Sequence, residues 1–113
     1  MLFTEEEKES IEKVDAKELA GLRAIPVRGM WVNFGKYGKY VTTYITDNED
    51  KAHKVYFSKA SVKNAEKAIE EAEALEWKCK TYLAVEKKEF YSKAEKSTIP
   101  YYVAVFTVVK EDQ

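Results

Sequence analysis

The chain is poor in the residues that carry most catalytic and metal chemistry. It holds one cysteine, Cys79, and one histidine, His53, in 113 residues. A single cysteine excludes an intramolecular disulfide, and a single histidine excludes a site built from several imidazoles. A His–Cys nucleophilic pair would need these two residues alone. With only two prolines and four glycines, no linker, repeat or low-complexity stretch interrupts the sequence. No apolar run approaches the roughly 20 residues that span a bilayer. The opening Met-Leu-Phe-Thr-Glu-Glu-Glu lacks the basic-then-apolar order of a secretory signal. The expectation is a cytoplasmic protein with no membrane partner.

Catalytic motifs are missing too. There is no GxxxxGK[ST], GxGxxG, HExxH or GxSxG pattern. Gly35-Lys36-Tyr37-Gly38 has no helix after it to aim N–H groups at a phosphate, so it reads as a hairpin turn. Asp47-Asn48-Glu49-Asp50 lacks the 12-residue spacing of a calcium loop and reads as a turn. The acidic runs 5–7 and 70–73 read as solvated helix faces. The chain is therefore expected to be no enzyme, with no catalytic residue, cofactor or metal.

What is present is the composition of a globular domain, 45% hydrophobic and 35% charged. At this length one domain is expected, 1–113, with 1–25 as helix and lead-in and 27–110 as the body. The net charge of −1 hides an alternation. Residues 1–25 hold 4 basic and 7 acidic side chains, and residues 61–76 hold 2 and 5. Residues 26–60 hold 6 basic and 3 acidic, and residues 77–110 hold 7 and 3. Acid gathers where helices are expected and base where strands and loops are.

Thr4 and Glu7 fit a capping box behind Phe3, which predicts a helix over 5–20, closed by Gly21. From Val27 the apolar period becomes two, with Met30, Val32 and Phe34 on one side and Gly29, Trp31 and Asn33 on the other. Gly29 inside a strand signals a bulge. A second strand spans 40–46, with Val41, Thr43 and Ile45 inward and Tyr40, Thr42 and Tyr44 outward. A short third strand spans 54–57. Ser61 starts a helix to about residue 75, with Val62, Ala65, Ile69 and Ala72 on one face. A fourth strand is expected over 77–85, with Cys79 inward, then a lysine-bearing connection or hairpin arm over 86–98. The fifth, 101–109, is almost continuously apolar.

Three strands, a helix and two strands is the chain order of the OB-fold, a five-stranded, partly open Greek-key barrel. The expected class is thus mainly β with α+β content: an OB-fold-like barrel with a helix between strands 3 and 4 and an additional N-terminal helix. An open α+β sheet is one alternative. A double-stranded-RNA-binding arrangement over 5–75 is another, and it leaves 77–110 unexplained. On the OB layout, ligand lies across strands 2 and 3 between two loops. That surface gathers Tyr40, Tyr44, Lys54 and Tyr56, the turn residues Lys36, Tyr37 and Lys39, and Lys87, Lys88, Tyr91 and Lys93 of the second loop, with Arg28 and Trp31 beside them. Rings interleaved with lysines suit single-stranded nucleic acid, since bases stack on rings and lysines neutralise phosphates.

On these features the chain resembles the small OB-fold single-stranded DNA-binding proteins of bacteriophages, those infecting lactic acid bacteria among them. The resemblance rests on the acidic opening, on 27–34 with its glycine, on the turn Gly35-Lys36-Tyr37-Gly38-Lys39-Tyr40, and on Tyr44 and Tyr56, and it covers 27–110. It implies a homo-oligomer in the host cytoplasm that coats single-stranded DNA, or RNA, without sequence preference during phage replication or recombination, with a phage or host recombinase as partner. The ending Lys110-Glu111-Asp112-Gln113 departs from the acidic, apolar-tipped tail of many bacterial members. The competing reading is a small phage or mobile-element protein that binds and inhibits a host protein.

Overall fold

A computed structural model describes residues 11–111. The described residues fold into six strands and one α-helix: β1 Glu12–Lys13, β2 Ile25–Gly35, β3 Gly38–Thr46, β4 Ala52–Phe57, α1 Val62–Ala74, β5 Cys79–Ser92 and β6 Ser97–Lys110. The strands lie in the order β1-β4-β3-β2-β5-β6. The mainly β class is as expected. The five-stranded, partly open barrel is not: the six strands form an open, mixed sheet in which, among the described residues, β1–β4 is the one parallel strand pair.

Side chains explain why the sheet stays open. The Ala104 N–H on the edge of β6 donates to Ser61 Oγ at 2.9 Å, and Asn64 Nδ2 donates to the Ala104 carbonyl at 2.9 Å. The start of α1 thus satisfies the backbone groups that a closing strand would have used. Ser61 was expected to cap the helix, but its side chain makes no capping bond.

The core lies between α1 and the inner faces of the sheet. Val41, Ile45, Val55 and Phe57 meet Val62, Ala65, Leu83, Val85 and Ala104 there, with Leu19 closing one side. Period-two alternation in β3 and small residues every three or four along α1 place these groups as expected. Trp77 does not begin a strand. Glu76 and Trp77 both have positive φ, 54° and 61°, in the turn that ends α1. There the Trp77 N–H reaches the Ala72 carbonyl and the Glu76 N–H the Glu73 carbonyl, the two bonds of a Schellman closure.

The N-terminal helix needs correction where it is described. Residues 5–10 lie outside the described residues, as does the Thr4–Glu7 capping box. Beyond them, Glu12–Lys13 runs parallel to β4, the Val14 N–H donates to the Lys54 carbonyl, and Ala16–Leu19 forms a short 3-10 turn. A thin apolar stripe gives an α-helix little to bury, and edge pairing that seats Val14 and Leu19 on the core overrides local propensity.

Candidate nucleic-acid interface

The register of β1 to β4 defines the outer face of the sheet, the face turned away from α1. Trp31, Thr42 and Tyr56 stand side by side across β2, β3 and β4. Gly29, Tyr44, Lys54 and Lys13 make the next row, and Asn33 and Tyr40 a third. No carboxylate occupies any of these positions. Local geometry sets the face. A bulge at Arg28 shifts the register between Val27 and Gly29 and turns Trp31 outward. Gly38, at φ 106°, makes the hairpin turn. At Gly35 a Cβ would come within 3.0 Å of the Tyr40 ring, so glycine lets that ring lie against the hairpin.

The rings form two pairs. Tyr40 and Tyr56 are diagonal neighbours with centroids 6.1 Å apart, and the Lys13 ammonium lies 5.4 Å from the Tyr56 ring centre. Tyr56 is 40% exposed. Trp31 meets Tyr44 edge to face at 5.3 Å. Tyr44 corrects the expectation of an open stacking ring: it lies on the outer face but is only 7% exposed. Its cross-strand neighbour explains the burial, because glycine opposite it at position 29 leaves room for Trp31 to close over the ring. Asn33 Nδ2 donates to Thr42 Oγ1 at 2.7 Å and Arg28 Nε to Thr46 Oγ1 at 2.9 Å, and Thr42 and Thr46 are buried as well.

The other expected residues lie elsewhere. Lys36 and Tyr37 occupy the hairpin tip, with Lys36 5.7 Å from the Tyr37 ring centre. Lys39 sits on the inner side, 5.5 Å from the Phe34 ring centre and 3.7 Å from a Glu66 oxygen on α1. Phe34 was expected inward and points that way, yet it is 80% exposed because the hairpin overruns the core. The connection 86–98 is a true hairpin arm, laddered as far as Ser92 opposite Ser97. Lys87, Lys88 and Tyr91 lie along it and Lys93 in its turn. Since β2 and β5 are antiparallel and pair at Ile25–Leu83, this arm and the β2–β3 hairpin lead away from that pair in opposite directions. The two lysine groups are not brought together.

Sequence reasoning missed Lys13, placed here by the β1–β4 pairing, and a groove of about 840 Å³ between β2 and β5. Arg28, Trp31, Trp77, Cys79, Lys80 and Tyr82 are among its lining residues. Cys79 was expected in the core and is instead half-buried in this wall.

At the end of β3, Asp47 organises the turn. Its Oδ1 accepts from the Glu49 and Lys51 N–H groups at 2.8 and 2.9 Å, and Oδ2 lies 2.8 Å from His53 Nε2. The bond to His53, followed by that from Lys51, holds its carboxyl below the ordinary aspartate range. Among the described residues no three His, Cys, Asp or Glu side chains form a metal-binding group, and no helix is long and apolar enough to cross a membrane. Comparisons with family models, with curated proteins and with solved structures give no match.

Proposed function

We propose that the protein binds single-stranded DNA with little sequence preference across the outer face of β2, β3 and β4. The observation that carries this reading is the make-up of that face: Trp31, Tyr40 and Tyr56 interleaved with Lys13 and Lys54, hydroxyls between them, and no carboxylate at any position set by the strand register. Rings take bases whatever their sequence, and the ammonium groups neutralise phosphates.

The strand order supports the same reading. β2, β3 and β4 follow one another, and β5 returns through α1 to lie beside β2, which is a Greek key. With β6 added and a helix between the third and fourth of the five long strands, we read this order as an OB-type arrangement opened at the β4–β6 seam. Tyr40 and Tyr56 lie on the second and third of those strands, where OB ligands run, and Trp31 stands beside them on the first.

The test is the retardation of labelled oligo(dT) in a gel, with duplex of equal length beside it. Binding of the single strand and much weaker binding of the duplex is the expected result. A chain that ignores both would favour a protein-binding role.

A further inference from the structure

The groove between β2 and β5 arises where two strands part. They pair only at Ile25–Leu83 and Pro26–Tyr82. After that the bulge at Arg28 swings β2 toward β3, while β5 runs straight on beside β6. One edge of β5 looks into the gap. The Val85 carbonyl accepts from the Gly21 N–H on that side, so by alternation Leu83, Thr81 and Cys79 turn their backbone groups the same way. Leu83 meets β2, and Thr81 and Cys79 face the groove with no strand of the described residues beside them.

Polarity across the groove selects its occupant. Trp31, Trp77 and Tyr82 bring aromatic surface, and Trp77 is 57% exposed. Arg28 and Lys80 supply positive charge, while Asp47, Asp50 and Glu111 also line it. A run of phosphates would meet those carboxylates, whereas an uncharged, planar heterocycle would not. Its edge would find the N–H and C=O groups of β5, and its faces the rings. A volume of about 840 Å³ is that of a small-molecule site. Trp31 belongs both to this groove and to the outer face, so the two are continuous.

We infer that the groove takes nucleobases of the bound strand, unstacked as the DNA passes from the outer face over Trp31, with Arg28 and Lys80 holding the flanking phosphates. This rests on the single-stranded DNA reading above and adds a second, base-holding compartment to it.

The chain has two tryptophans, and both line the groove. A Trp31→Phe chain therefore reports from Trp77 alone. Titrated with oligo(dT), it is expected to lose tryptophan emission in step with binding. Trp77→Asn is the companion variant, because asparagine tolerates the positive φ of that turn and leaves its fold intact. Its affinity for oligo(dT) is expected to fall about five- to a hundred-fold, the weight of one stacked base. Tyr56→Ala, on the outer face, is expected to weaken binding over a similar range. If oligo(dT) binds and Tyr56→Ala weakens it, while Trp77 emission stays constant and Trp77→Asn binds as the native chain does, the groove inference is overturned and the outer face stands. If the native chain binds no oligo(dT), both fall.

Discussion

Tyr44 and Tyr56 stand on the same face of the sheet, and their surroundings give them opposite roles. Tyr44 is enclosed beneath Trp31, so Tyr44→Ala removes a buried ring and is expected to lower folding stability by about 3–5 kcal/mol in urea melts. Tyr56 is open to solvent. Tyr56→Ala is expected to cost about 1 kcal/mol of stability or less, while weakening oligo(dT) binding by about 1–3 kcal/mol in titrations. Equal effects of the two substitutions on stability would contradict this assignment. Thr43 poses a different question. Its hydroxyl is fully buried among Val41, Ile45 and Val55 and has no hydrogen-bond partner among the described residues. Thr43→Val keeps the shape and removes that polar group, and is expected to raise stability by about 1 kcal/mol. Asp47 gives a pH signature. Its folded pKa is depressed, so its contribution is present above the unfolded value and is lost as pH falls through the folded one. In an acid titration followed by NMR, the Glu49 and Lys51 amides are expected to shift only below the ordinary aspartate range. Shifts centred at about 3.9, the value of free aspartate, would show that the His53 contact does not form.

At the scale of elements, the contact between the start of α1 and the edge of β6 decides whether the sheet closes. Ser61→Ala leaves the Ala104 N–H buried without an acceptor and is expected to cost about 1–3 kcal/mol. Asn64→Ala, part-buried, is expected to cost less. Urea melts of both variants check this, and a neutral Ser61→Ala would mean that the β6 edge is held by something else. Much of this level was legible in the chain. Alternation at Val41, Thr43 and Ile45 marked the inner face of β3, Gly29 marked the bulge, and the alanine-rich stretch marked α1. What remained hidden depended on partners distant in sequence. Ser61 reads as a helix cap because serine caps helices locally, and nothing near it reveals Ala104, 43 residues away, as its partner. Tyr44 reads as exposed because alternation shows which face a ring takes and not whether Trp31 covers it. The edge pairing of Glu12–Lys13 has no local pattern either, since two residues are too few to show a period.

For the whole molecule, the sheet has one face packed on α1 and another left to rings, hydroxyls and lysines. Two hairpins carry it to an overall length of 53 Å against widths of 29 and 28 Å. The acidic character of 61–76 is gathered on α1 behind the sheet, so a net charge of −1 coexists with a carboxylate-free face. On the proposed reading, that separation lets a chain without net positive charge meet a polyanion. The central claim, a single strand held on this face, is tested most directly by the fluorescence anisotropy of labelled oligo(dT) over a range of salt concentrations, with duplex as control. With Lys13 and Lys54 on the face and Arg28 and Lys80 in the groove as phosphate contacts, log affinity is expected to fall against log salt with a slope of about −3, and Tyr56→Ala is expected to lower affinity without changing that slope. Binding that does not respond to salt, or duplex bound as tightly as the single strand, would contradict it.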